Sequence, residues 1–129
     1  DPKPGDWLLV PGGGWVSRAA QGVRAEIQAG KLPARLAEWK RLGVGVASVC
    51  TGAMLVAAAG LSQGRPATTH HGARADLAAA GAQVVAARVV DDGDLISAGD
   101  IQIKGTVEGE WFGVWSSGEF FPMQRADEI

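Results

Sequence analysis

The run from Val44 to Leu61 constrains this chain more than any other stretch. Its first half, Val44-Gly45-Val46-Ala47-Ser48-Val49, alternates and is rich in valine, which predicts a buried strand. Its second half, Ala53 to Leu61, is rich in Ala, Leu and Met with no polar face, which predicts a buried helix. Between them stands Cys50, the only cysteine in the sequence, with Ser48 and Gly52 two positions to either side. A strand that turns sharply into a helix strains the residue at the bend and crowds its neighbours, so small flanking residues are what such an elbow needs. A thiol there lies at the carboxyl end of a strand and at the positive end of a helix dipole, where it should ionise more readily. Two readings follow for Cys50, a nucleophile or a small buried hydrophobe.

The 129 residues allow one domain, large enough for a core but short for a full doubly wound sheet. Apolar residues at 47% and charged residues at 20% fit a soluble globular protein. The net charge of -2, with basic residues scattered, argues against a nucleic-acid or anionic-membrane surface. One cysteine excludes an internal disulfide and fits a cytoplasmic location. The longest apolar run, Ala53 to Leu61, is too short to span a bilayer and is broken by Gly60.

Asp1 to Asp6 is a polar, proline-bearing lead, and an opening Asp reads as a processing boundary. Trp7-Leu8-Leu9-Val10 predicts a buried parallel strand that ends at Pro11-Gly12-Gly13-Gly14. That glycine loop either brings backbone N–H groups close to a ligand or is a plain turn. Gln21 to Gln28 suggests an extra helical turn. Lys31-Leu32-Pro33 opens a helix, with proline tolerated in the first turn and Gly43 at the end. Leu32, Leu36, Trp39 and Leu42 form one apolar stripe, while Arg35, Glu38, Lys40 and Arg41 read as a solvated face.

Beyond the elbow helix, Ala67-Thr68-Thr69-His70-His71 reads as a short strand, so the two histidines should point to opposite faces. Adjacent histidines without a third ligand at suitable spacing make a poor metal site. Ala73 to Ala80 predicts a small helix closed by Gly81, and Gln83 to Val90 a strand. Asp91-Asp92-Gly93-Asp94 carries a hairpin-turn signature, with Leu95 to Ala98 returning. That acidic cluster lacks the distal ligand of a calcium loop. Asp100 to Gly105 alternates like a strand. Residues 100–129 form a divergent tail, strand-like or partly disordered, in which Trp111, Phe112 and Trp115 crowd together.

The order strand, helix, strand, elbow, helix, strand, helix, hairpin implies an α/β layer of parallel strands joined by right-handed crossovers. Sites in such sheets lie at the carboxyl ends of strands, where both the glycine loop and the elbow fall. The two meet if their strands are neighbours.

Several separate stretches carry a family resemblance. They are Leu9-Val10-Pro11-Gly12-Gly13, Ser48-Val49-Cys50-Thr51-Gly52-Ala53, Ala59-Gly60-Leu61, Gly64-Arg65, Ala67-Thr68-Thr69-His70 and Val89-Val90-Asp91-Asp92-Gly93. In this order they resemble the ThiJ/PfpI superfamily, from about Trp7 to Gly99, and the Cys-Thr-Gly-Ala form looks most like its isonitrile-hydratase branch. The resemblance implies a parallel-sheet αβα sandwich, flavodoxin-like and class I glutamine amidotransferase-like, with a nucleophile elbow. It implies Cys50 as nucleophile, Thr51 assisting through its hydroxyl, and the amides of Gly13 and Thr51 as an oxyanion hole. Gly12, Gly14 and His70 would line the pocket. No cofactor or metal is implied, and the expected partners are a small-molecule substrate and a second copy in a homodimer or higher assembly. Neither nucleic acid nor membrane is expected.

Two departures from the family pattern shape the functional expectation. The family's first strand and helix, with the acid that sits beside the cysteine, would lie before Asp1, and no carboxylate of this sequence matches that acid. After Gly99 the family continues with a small-residue turn and a long helix, which Asp100 to Lys104 does not match. The resemblance thus implies either cysteine-dependent hydration of an isonitrile to an N-substituted formamide, or a non-catalytic domain that binds or senses a small molecule. Thr51 stands where the superfamily's proteases carry a histidine, which argues against proteolysis.

Overall fold

A computed structural model describes residues 2–99 in full, together with the backbone of residues 113–116 and 119–122. Strand β1 (Trp7–Val10) leads through the glycine loop to helices α1 (Val23–Ala29) and α2 (Lys31–Arg41). Strand β2 (Gly45–Val49) follows, and helix α3 (Gly52–Ala58) begins three residues after its end. Strand β3 (Pro66–Ala67), a 3₁₀ turn (His71–Ala73), helix α4 (Arg74–Ala79), β4 (Gln83–Val84), β5 (Val89–Asp91) and β6 (Leu95–Ala98) complete the core. In the tail, β7 (Gly113–Ser116) and β8 (Glu119–Pro122) pair antiparallel. The other expectations for residues 100–129, including the strand at Asp100 to Gly105 and the aromatic cluster, fall outside the described residues.

The central sheet has the order β1-β2-β6-β5, with β1, β2 and β6 parallel and β5 antiparallel at its edge. β1 and β2 are therefore neighbours, in the register Trp7 with Gly45 through Val10 with Ser48. Gly45 is required by this pairing. A Cβ there would enter the Trp7 ring, which covers the backbone where the side chain is missing.

The core forms where α3 meets the sheet. Val10, Val46, Leu95, Met54, Leu55 and Val56 are buried together, with Val23, Leu36 and Leu77 supplied by α1, α2 and α4. The stripe on α2 is only partly core. Leu36 is buried and Leu32 and Trp39 pack against the cluster, but Leu42 caps the helix and is exposed.

Four local expectations need correction. The strand Trp7–Val10, read as buried, is the end strand of its sheet, with Trp7 and Leu9 exposed and only Val10 buried. The strand read over 67–71 stops at Ala67, because Thr68 and Thr69 turn their hydroxyls to other backbones and His70 caps the next turn. The strand read over 83–90 is two strands with different partners. β4 pairs parallel with β3, and β5 pairs antiparallel with β6. Between them Ala87 N–H donates to Val85 O, a tight turn that breaks the ladder. Lys40, read as solvated, has a side chain only 14% exposed and is paired with Asp94.

That pair belongs to a clamp. Arg65 Nε donates to Asp92 at 2.6 Å, and its Nη2 donates to Asp94 at 2.7 Å and to the Asp92 carbonyl at 2.8 Å. The acidic turn expected from the sequence is thus held by two cations, which ties α2, the segment before β3 and the β5–β6 hairpin together. Lys40 first and Arg65 second hold the Asp94 carboxyl down to about 2, well below its ordinary value. The same pairing, through Asp94 first and then Asp92, raises the Arg65 guanidinium.

Candidate active site

Cys50 occupies the bend between β2 and α3 with φ at 53°. Among the described residues, only it and Arg18 combine a side chain with a left-handed backbone. Such a conformation costs an L-residue roughly 1–2 kcal/mol, so the surroundings must hold it in place. They do so on both sides of the backbone. Cys50 N–H points at the carbonyls of Ala98 and Gly99, each 3.0 Å away, and Cys50 O accepts the Thr69 hydroxyl at 2.8 Å. Cys50 is a free cysteine and its residue is half-buried.

The glycine loop meets the elbow directly. Gly13 N–H donates to Thr51 Oγ1 at 2.9 Å. A Cβ on Gly12 would stand 2.5 Å from Thr51 N and 2.6 Å from Thr51 Oγ1, and a Cβ on Gly52 would strike the carbonyl of Val10. These glycines are small because two backbones pass in contact, not because a turn demands it. The structure thus brings Gly12, Gly13, Cys50 and Thr51 together. In this arrangement the Gly13 amide is engaged by Thr51 Oγ1, which keeps its own O–H to donate.

Gly14 begins an excursion that closes on itself. Gly13 O accepts from Val23 N–H at 2.9 Å, and Gly14 O accepts from Ala19 N–H at 3.1 Å. Trp15, next in line, donates its indole N–H to Asp76 of α4 at 2.8 Å, with Arg24 over its ring.

His70 lies one residue beyond the Thr69 that holds Cys50. Its Nδ1 accepts from Gly72 N–H at 3.0 Å, which places the ring proton of the neutral form on Nε2. The rings of His70 and His71 lie 4.1 Å apart at 31°. They do not diverge as strand alternation would require, because the segment is a capped turn rather than a strand. Among the described residues no group of three or more His, Cys, Asp or Glu is placed to hold a metal, and no helix is long and apolar enough to cross a membrane.

Residues 1–103 match the DJ-1/PfpI family. The chain belongs to that family. Deglycase PH1704 of Pyrococcus horikoshii is 34% identical to it over 97 residues, covering 75% of this chain and 54% of that protein. Isonitrile hydratase of Pseudomonas putida is 50% identical over 56 residues, 43% of this chain and 25% of that enzyme. The crystal structure of a ThiJ/PfpI family protein from Pseudomonas syringae superposes with a TM-score of 0.63 at 30% identity, over 77% of this chain and 38% of that one. This DJ-1/PfpI chain thus spans about half the length of the deglycase and a quarter of the hydratase. The flavodoxin-like fold expected from the sequence is the family's fold, with a mostly parallel sheet and an elbow at its carboxyl edge.

A cavity of about 420 Å³ lies elsewhere in this family member. It runs along β1 and α2, between Leu8, Leu9, Leu32, Leu36 and Trp39, and approaches the elbow through Pro11 and Gly12 of the glycine loop and Leu55 of α3. Of the residues expected to line the pocket, Gly12 alone borders it, while Gly14 and His70 do not. Neither Cys50 nor Thr51 lines this cavity. Thr69 and Trp15 are the residues that local sequence reasoning passes over. Two adjacent threonines between Ala67 and His70 were the available signal for the first, and a tryptophan directly after three glycines for the second.

Proposed function

We propose that this protein uses Cys50 as a nucleophile on a small, linear carbon electrophile, in the manner of an isonitrile hydratase. The left-handed backbone at Cys50, fixed from both sides, carries the reading, because strain of this kind persists only where the surroundings over-determine it. Support for the substrate class comes from the resemblance at Cys50-Thr51-Gly52-Ala53 and from the half-identical match to the Pseudomonas putida enzyme.

In the reaction, Cys50 Sγ bonds to the terminal carbon of R–N≡C, and a proton adds to the same carbon, giving the thioimidate R–N=CH–S. Water then adds across the C=N bond, its oxygen to carbon and a proton to nitrogen. The C–S bond breaks, the thiol regains its proton, and R–NH–CHO leaves. One water is consumed and nothing is oxidised or reduced. Thr51, whose hydroxyl keeps a proton to give, would direct the incoming groups at Sγ.

Incubation with cyclohexyl isocyanide, followed by NMR for the N-cyclohexylformamide proton, tests the reading. Turnover that disappears in Cys50→Ser is the expected result. Saturable binding without product would replace the hydratase by a non-catalytic binding domain. A second reading rests on the longer match to the deglycase, over 97 residues. Release of free amino acid from a glycated amino acid, with no formamide formed, would favour it.

A further inference from the structure

The geometry points to Trp15 as a residue that sets which molecules reach Cys50, by latching the glycine loop to the opposite wall of the site. This rests on the reading of Cys50 as the reacting residue.

The site has two walls. One is the glycine loop, whose Gly13 N–H bonds Thr51 Oγ1. The other is the segment from Thr69 to Gly72, which bonds the Cys50 carbonyl. Trp15 extends from the first wall and Asp76 from α4, just after the second. The bond from Trp15 Nε1–H to Asp76 Oδ2, at 2.8 Å, spans 61 positions of sequence. Val16 reinforces the crossing, since its Cγ2 lies 2.9 Å from where a Cβ on Gly72 would sit.

Trp15 is itself held from behind. The Arg24 guanidinium lies 3.9 Å from the ring centroid, and Arg24 Nε donates to Trp15 O at 2.7 Å. The same carbonyl accepts from Arg18 N–H at 3.2 Å, and Arg18 is the other residue with left-handed backbone, at φ 53°. A strained turn fastened at its carbonyl, its ring and its indole N–H is built to hold one position. With the latch made, the loop stays over the elbow and admits slim molecules. With it broken, the loop swings out and admits bulky ones.

The test compares alkylation of Cys50, the only thiol, by iodoacetamide and by fluorescein-5-maleimide, in wild type, Trp15→Phe, Asp76→Ala and Asp76→Asn. Trp15→Phe keeps a ring for Arg24 but loses the N–H, and Asp76→Asn keeps an acceptor. The maleimide-to-iodoacetamide rate ratio is expected to rise about fivefold in Trp15→Phe and Asp76→Ala, the shift in an open–closed equilibrium that one hydrogen bond produces. It should stay near wild type in Asp76→Asn, and combining Trp15→Phe with Asp76→Ala should add nothing further. A ratio unchanged in both disabling variants, whatever happens to their melting temperatures, overturns the latch and leaves the role of Cys50 intact. A wild-type Cys50 inert to both reagents overturns the nucleophile reading and the latch with it.

Discussion

Thr69 donates its hydroxyl proton to the carbonyl oxygen of Cys50 across 2.8 Å, and the threonine is itself buried. The peptide that carries the strained cysteine is therefore anchored by a side chain from a different strand-to-helix connection. Replacing Thr69 with valine keeps the shape but removes the donor and leaves that carbonyl unpaired. The expected loss is about 1–3 kcal/mol in urea denaturation. Thr69→Ser, which restores the hydroxyl, should recover most of it.

The contact between the glycine loop and the elbow is backbone on backbone, so its two glycines should differ in tolerance. A methyl on Gly52 meets the carbonyls of Val10 and Pro11, at the end of a strand paired along its whole length. Nothing there can give, and Gly52→Ala should cost about 3 kcal/mol or fail to fold. A methyl on Gly12 meets Thr51 N and Oγ1 from a loop residue that lies beyond the β1–β2 ladder. Gly12→Ala should fold with a smaller loss, about 1–2 kcal/mol, because the loop rises and breaks the bond from Gly13 to Thr51. Denaturation midpoints of the two variants, measured side by side, check the order.

Acid should loosen the clamp around the hairpin turn. Asp94 titrates at about 2 when folded, against 3.8 for the ordinary carboxyl, because Lys40 and Arg65 favour its charged form. A folded-state value below the unfolded one means the pairing contributes fully above pH 3.8 and is lost as pH falls towards 2. Asp94 is largely exposed, so solvent screens much of that contribution. Asp94→Asn should therefore lower the melting temperature slightly at pH 7 and flatten its decline between pH 4 and 2. Arg65→Ala, which frees two carboxylates at once, should cost about 1 kcal/mol at pH 7. A variant whose acid profile matches wild type would remove the clamp from the account.

How far the sequence speaks for itself depends on the span of each interaction. The elbow and the glycine loop are legible because both are local. A valine-rich strand, a small-residue bend and an apolar helix follow one another within the run from Val44 to Leu61, and β1 is followed by Pro11 and three glycines. Their meeting follows from topology, since consecutive parallel strands tend to be neighbours. What holds them in place is not local. Thr69 reaches back 19 residues to Cys50, Arg65 forward 27 to Asp92, and Trp15 forward 61 to Asp76. No periodicity encodes such pairs. The histidines illustrate the same limit. Ala67 to His71 has the composition of a strand, yet hydroxyl bonds at Thr68 and Thr69 and a ring nitrogen at His70 outbid the ladder and bend the chain.

The left-handed backbone at Cys50 sets up a final contrast between stability and chemistry. Alanine and glycine both remove the sulfur, but only glycine accepts φ near 53° without steric cost. Cys50→Ala keeps the strain, whereas Cys50→Gly releases it at the expense of a more flexible unfolded chain. On balance the glycine variant should be the more stable of the two by about 1 kcal/mol. Both should be inert towards an isonitrile. Equilibrium unfolding of the pair measures the strain without reference to any substrate. If alanine proves equal to or more stable than glycine, the bend is relaxed, and the argument that strain marks Cys50 as a working residue loses its physical basis.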